Sequence, residues 1–339
     1  MNRKLFIVPF FSLLFACAGG DADKMSEIQL PDEAIALHGD SVSFSGELYR
    51  PAKLYIAEDK LVVFDDVKED LFKVFGLPGL NYLYGFSNWG GGPNEFSMID
   101  KEAINVSGRQ FEILYRNKLY RYQVGDTSFI PQETNSSDLI LTRVNPINNF
   151  KRLSDHSYVF NSDFQKQGKE FCLLNTSTKE ERSFGEVKEP EAPELLGKRD
   201  AYYAKAICAS EHQGRFAAFY YHRPFFSVYN TKGQLLKSVG ISPSEHHFDP
   251  STMYFVEPYA TDDYIYVMWI LMGKQQVEMD FNAFHPEILV FDWGGNFVNR
   301  LKLDRPIITF AVSERNKELY AVSFLDEDIN KLYRFKLPE

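Results

Sequence analysis

The stretch FFSVYNTKGQLLKSVG, residues 225–240, decides the fold. An apolar run leads into Asn230-Thr231-Lys232-Gly233, a turn sequence, and a second run follows it, which is the signature of a β-hairpin. The same shape recurs as LVVFDDVKEDLFKVFG (61–76), EFCLLNTSTKEERSFG (170–185) and EILVFDWGGNFVNRL (287–301). Looser copies stand at NKLYRYQVGDTSFI (117–130) and NKLYRFKLPE (330–339). Aligned on the residue before the turn, the copies fall on Phe64, Tyr122, Leu174, Tyr229, Phe291 and Phe335, at intervals of 44 to 62 residues. Self-similarity at a fixed period of this kind marks a repeat architecture.

Most copies have an upstream strand partner: HSYVFNSD (156–163), GRFAAFYYH (214–222), DYIYVMWIL (263–271) or KELYAVSFL (317–325). Two hairpins make four strands, and a four-stranded sheet has two faces to bury and two edges to hide. Radial arrangement of such sheets meets both needs. A β-sandwich shows no blade-length repeat, and the coils of a β-helix are far shorter than these units. The expected fold class is all-β, a six-bladed β-propeller over 41–339. The last unit stops after its third strand, at Leu337, while SVSFSGELY (41–49) lies outside any complete unit. That N-terminal strand is expected to complete the final blade and close the ring. Composition agrees, since 30 Phe and 19 Tyr suit pleated, half-buried surfaces, and no stretch keeps the 3.6-residue period of a long helix.

Trp89–Phe96, WGGGPNEF, raises the alternative of a phosphate-binding loop. A Walker-type loop needs a Lys and a Ser or Thr directly after its glycines, and a dinucleotide loop must open a helix. Here Pro93 and the strand-like SMIDKEAINV (97–106) follow instead. The run reads as a turn in which glycines supply positive φ, Pro93 fixes φ and Glu95 accepts backbone N–H bonds. Gly90, Gly92, Pro93, Glu95 and Phe96 resemble the Gly-x-Gly-Pro-Gly-Glu-Phe segment of the TolB-like six-bladed β-propeller lipoproteins of Bacteroidetes. Asn94 stands where that family usually has glycine, and Asn is the next-best residue at positive φ. The resemblance implies that the loop joins the outer strand of one blade to the inner strand of the next. It implies a fold and a location rather than an activity.

The N-terminus carries the address. Arg3 and Lys4 precede the uncharged run Leu5–Ala16, too short to span a bilayer and suited to a signal-peptide core. Leu14, Ala16 and Cys17 resemble a bacterial lipobox, which implies cleavage after residue 16 and lipidation of Cys17. Residues 17–40, small, polar and acidic, read as a flexible tether. The expected location is therefore the cell envelope, lipid-anchored at the outer membrane, on its periplasmic side or at the cell surface. Loss of Arg3 and Lys4 takes the net charge from −10 to −12. So acidic a chain lacks the basic footprint of a nucleic-acid binder and meets the membrane only through its lipid. Cys172 and Cys208 lie in apolar, strand-like runs, where a disulfide and two buried thiols are both open.

No catalytic, metal or cofactor motif stands out. His246 and His247 are adjacent and would point to opposite faces of a strand, and no H-E-x-x-H, Cys/His cluster or G-x-S-x-G is present. Candidate ligand contacts are Arg199, Tyr202 and Tyr203 before an inner strand, His222 and Arg223 at a strand end, and His285 in a long insertion. Arg offers a planar fork of donors, and aromatic side chains on a channel rim make platforms. The expected function is binding of a protein, peptide or glycan without catalysis. The alternative is an exported hydrolase or lyase with its active site at the channel mouth.

Overall fold

A computed structural model of the chain describes residues 25–42, 48–67, 69–116, 118–132, 148–161, 168–187, 197–242, 248, 250–272, 286–323 and 331–338. Three short strands come first: β1 (Ser26–Gln29), β2 (Ile35–Leu37) and β3 (Asp40–Val42). Blade 1 holds β4 (Pro51–Ala57), β5 (Lys60–Asp65), β6 (Glu69–Gly76) and β7 (Asn81–Trp89), extended by β8 (Glu95–Phe96). Blade 2 holds β9 (Ile104–Ser107), β10 (Gln110–Tyr115), β11 (Lys118–Val124) and β12 (Phe129–Pro131). Blade 3 holds β13 (Lys151–Ser154), β14 (Ser157–Asn161), β15 (Lys169–Asn175) and β16 (Glu180–Glu186). Blade 4 holds β17 (Lys205–Ser210), β18 (Arg215–Tyr220), β19 (Phe225–Asn230) and β20 (Leu235–Ser242). Blade 5 holds β21 (Met253–Ala260), β22 (Tyr264–Met272), β23 (Glu287–Asp292) and β24 (Phe297–Leu303). Blade 6 holds β25 (Ile307–Ser313), β26 (Glu318–Ser323) and β27 (Leu332–Lys336).

The first strands of the blades, β4, β9, β13, β17, β21 and β25, touch one another in that order, and β25 returns to β4. Six antiparallel sheets thus close into a propeller. β3 completes blade 6 by pairing antiparallel with β27, Val42 opposite Leu332, so the N-terminal strand closes the ring. The face at which each innermost strand begins is called upper here, and the opposite face lower.

The segment expected to be a tether departs from that reading. From Met25 onward it is a strap: β1 pairs parallel with β20 on the outer edge of blade 4, and β2 pairs parallel with β24 on blade 5. The segment has few apolar residues, but Leu37 is buried, and Ile28 and Leu30 pack against the core at blades 4 and 5. The open backbone edges of β20 and β24 supply the remaining partners, which also hides two edges.

The hairpin repeat holds, with one correction of register. Tyr122, Leu174, Tyr229, Phe291 and Phe335 all lie on the third strand of their blade and are buried. Phe64 lies on a second strand, β5, so 61–76 is the middle hairpin of blade 1 rather than its outer one. The reason is that β5 and β6 are both almost wholly buried and read alike. The third-strand residues face the preceding blade. Tyr122 meets Phe86 at 5.0 Å, Tyr229 meets Phe171 at 5.2 Å, and Phe291 meets Phe226 at 4.6 Å. The abundance of Phe and Tyr is thereby explained as packing between blades, each buried ring contributing about 1.5–3 kcal/mol.

The outer turns repeat as well. Asn175, Asn230 and Asp292 each accept backbone N–H bonds from residues two to four further on, an Asx turn. Asp65, which matches them in sequence, does different work: its buried carboxylate accepts from the Tyr49 and Arg50 amides and from Lys73 Nζ at 2.6 Å. It clasps the chain where blade 6 passes into blade 1.

The glycine loop joins outer strand β7 to inner strand β9, as the family resemblance implies. Glu95 accepts from the Gly92 amide at 2.7 Å, Gly90 N donates to Phe96 O at 3.0 Å, and Phe96 is buried edge-on to Tyr115 and Tyr120. Asn94, not a glycine, takes the positive φ, +58°. Gly90 and Gly92 are needed for room instead: a Cβ on Gly90 would stand 2.0 Å from Glu95 Oε2. Gly90→Ala is expected to turn the Glu95 carboxylate away and cost about 1 kcal/mol, the worth of the lost hydrogen bond. A urea midpoint equal to wild type would contradict this account of the loop.

Candidate functional site

Inner strands of a propeller surround its axis, and here five of them carry a polar residue, Lys53, Lys151, Lys205 and Thr309 nearer the upper end and Glu257 midway along its bulged strand. Blade 2 supplies its polar group from just before the strand. SMIDKEAINV is not one strand, because Asp100 caps a single 3₁₀ turn, Lys101–Ala103, by accepting from the Glu102 amide at 2.9 Å. That turn delivers Lys101 and Glu102 to the axis.

The result is a buried network of charges. Lys53 Nζ lies 2.7 Å from Glu257 and 3.0 Å from Glu102, and is 6% exposed. Lys151 reaches Glu102 at 3.3 Å, Lys101 reaches Glu257 at 3.4 Å, and Thr309 donates to Glu257 at 3.2 Å. Residues of blades 1, 3, 5 and 6 and of the turn before β9 meet here. Glu257 adopts φ +51° where the register of β21 against β22 shifts. A bulge of this kind re-aims a side chain, and strain of this kind persists only where the surroundings hold it.

The electrostatics follow from burial and pairing. Burial would lower Lys53, but Glu257 and Glu102 overcome it and hold the ammonium well above the ordinary lysine value. Burial would raise Glu102, but Lys53 and Lys151 hold it well below the ordinary carboxylate range. Asp100 goes the other way, raised by burial and by neighbouring Glu102. Tyr221 is raised by burial and by the same carboxylates.

Beside this network, at the seam of blades 3 and 4, the structure gathers most of the residues singled out in the sequence. Arg223 is stacked among rings, with its guanidinium carbon 4.0 Å from the Tyr220 centroid, 4.1 Å from Tyr202, 5.0 Å from Phe225 and 5.6 Å from Tyr203. Tyr202 also meets Phe248 at 5.1 Å. The Nε of Arg223 is buried and has no hydrogen-bond partner among the described residues. Beneath the stack, Lys205 Nζ pairs with Glu170 at 3.1 Å, and Tyr220 donates to the same carboxylate at 2.6 Å. Burial lowers Lys205, Glu170 offsets part of that, and nearby Arg223 adds to the lowering.

Arg199, Tyr202 and Tyr203 form one short helix, Arg199–Tyr203, between blades 3 and 4, with Arg199 half-buried at its start. His222 stays out of the stack and bonds through Nδ1 to the Thr252 carbonyl at 2.8 Å, so that nitrogen carries the proton. His285, His246 and His247 lie outside the described residues. Cys172 and Cys208 are both buried thiols and form no disulfide, and burial pushes Cys208 up to about 12. Among the described residues no group of three or more His, Cys, Asp or Glu side chains is placed to hold a metal ion.

At the lower mouth the turns between first and second strands carry carboxylates, among them Glu58, Asp155, Glu211 and Asp262. A depression of about 410 Å³ opens there between blades 2, 4 and 5. Arg152 forms its floor and is shared by Glu112, Asp155 and Glu211.

A closed ring of six four-stranded blades around an axial charge network defines a six-bladed β-propeller. The chain belongs to the TolB-like 6-blade propeller-like family, whose model matches residues 34–315. No curated protein matches it. Among solved structures it is similar to a protein of Bacteroides fragilis described as exported, at 10% identity and TM-score 0.55, over 93% of this chain and all of that one. It is also similar to a DUF4221-family protein of Bacteroides vulgatus, at 10% identity and TM-score 0.49, over 88% of this chain and 97% of that one.

Proposed function

We propose that the protein is an exported lipoprotein, anchored through Cys17, whose upper face binds a protein, peptide or glycan. The Arg223 stack carries the reading. A guanidinium held between Tyr202 and Tyr220 loses little freedom on binding and presents its remaining N–H edges to a carboxylate or hydroxyl. The surrounding rings offer faces to apolar side chains or to the C–H faces of sugars, and Tyr and Arg are the residues that dominate such contacts. Signal-like residues 1–16 and the described export of the Bacteroides fragilis neighbour support the location.

The test is a thermal-melt screen of residues 25–339 against oligosaccharides and peptides. A ligand at about 100 times its Kd adds roughly 2.7 kcal/mol of stability. Arg223→Ala and Tyr202→Ala are expected to abolish that shift while leaving the unliganded melt within a few degrees. Full retention of the shift in both variants would contradict the assignment.

A second reading rests on Asp100 and Glu102. Two neighbouring carboxyls whose surroundings push one up and the other down are what acid–base hydrolysis uses. Turnover of a bound glycan or ester that Asp100→Asn removes, with binding intact, would establish that reading over plain binding.

A further inference from the structure

We infer that the cleft between blades 5 and 6 on the lower face is a second ligand site, which takes a small organic amine: an ammonium group on a short apolar stem. The cleft has a volume of about 350 Å³, the size of a small-molecule site. Blade 5 forms one wall, and the turn between β25 and β26 with Leu337 forms the other. Val290 and Leu301 give it an apolar floor for the stem. Tyr264 and Tyr266 also line it, with ring centroids 6.4 Å apart and planes at 79°, and ring faces attract a cation. Tyr266 is only 6% exposed, and its hydroxyl makes no hydrogen bond among the described residues. A buried tyrosine hydroxyl ordinarily has a partner, and here an ammonium N–H can donate to it.

Charge selects the ligand. Carboxylates elsewhere on the lower face are matched by cations: Glu58, Asp59 and Asp126 by Arg109, and Asp155 and Glu211 by Arg152. Those at the seam of blades 5 and 6 are not. Asp263 and Glu314 line the cleft with Asp262 close by, and among the described residues none of the three has an ion pair. Glu314 is half-buried and accepts from the Thr261 hydroxyl. Burial raises its carboxyl above the ordinary value, and Asp263 and Asp262 add to the rise, as negative charge crowded without a counter-ion requires. Lys317 stands exposed on the rim but pairs with none of them, so a ligand cation has only its loose charge to compete with. An anion would meet the crowded carboxylates, and a neutral ligand would leave them unanswered.

The experiment is ligand-observed NMR titration of the full-length protein with n-butylammonium, butan-1-ol and butyrate, which share one stem and differ in charge. n-Butylammonium is expected to bind at least about tenfold more tightly than the other two, the worth of a hydrogen bond to a charged group. Glu314→Gln keeps an acceptor for the Thr261 hydroxyl but removes the charge, and is expected to lose about that factor. Lys317→Met alters only an exposed side chain and is expected to tighten binding about two- to fourfold, since it removes a like charge. Equal binding of butan-1-ol and n-butylammonium, or binding unchanged in both variants, would overturn the site. Acetyl-Gly-Lys-Gly-amide carries the same ammonium on a peptide, and it is expected to bind more weakly than the free amine. Tighter binding of the peptide would overturn the small-amine assignment in favour of a protein lysine.

Discussion

A chain that begins at Leu48 is expected to melt at least about 10 °C below one that begins at Met25, or to aggregate on purification, a loss of several kcal/mol. The longer chain keeps all three N-terminal strands. The shorter one leaves β27 without β3, uncovers the edges of β20 and β24, and removes buried Leu37. Full burial of one leucine is worth about 1.5–3 kcal/mol, and each backbone bond lost adds about 1. Uncovered edges also invite pairing between molecules. Differential scanning calorimetry of the two chains decides the matter. Equal melting temperatures would mean that the ring closes without its strap.

The second large effect is expected at Lys53. Lys53→Met preserves the apolar stem but removes the buried cation that Glu257 and Glu102 share, leaving them the more distant Lys101 and Lys151. Breaking a buried pair in this way costs about 3–5 kcal/mol. Lys53→Met combined with Glu257→Gln is expected to recover part of that, because the stranded charge is removed. The pH dependence follows from the shifts. Glu102 is held below its ordinary value, so its contribution is whole above the unfolded value near 4.5 and is lost as pH falls through the lower folded one. Lys53 is held above its ordinary value, so its contribution is whole below the unfolded value near 10.5 and is lost as pH rises through the higher folded one. Urea midpoints at about pH 7 and pH 3 should therefore fall less steeply with acid in Lys53→Met than in wild type. Parallel profiles would contradict the network as described.

These two features sat very differently in the sequence. The blades were legible because packing between them demands a large, mostly aromatic, buried residue at the same strand position, as at Tyr229 and Phe291. Closure by an N-terminal strand, seen as β3, was legible because the last unit lacked a strand. The strap was not: SEIQ has a single apolar residue and IAL is only three residues long, too little to announce strands, and they become strands only because β20 and β24 offer open edges. Rim residues Tyr202, Tyr203 and Arg223 were legible as a type, large and polar before or after a strand, and the fold brings them together. His222, chosen for the same reason, bonds to a backbone carbonyl instead. Lys53, Glu102 and Glu257 were missed because their pairings cross 49 and 204 residues. One signal was available: PAKLYIA and MYFVEPYA each place a single charge inside an otherwise apolar inner strand.

The most direct test of the upper face as the binding surface is lysine crosslinking with mass spectrometry in intact envelopes. Lys118 and Lys198 are exposed on the upper face, and Lys179 and Lys317 on the lower. Links to a common partner are predicted at Lys118 and Lys198, with loss of those links in Arg223→Ala. Links confined to Lys179 and Lys317, unchanged by that substitution, would place the partner on the wrong face and contradict the account.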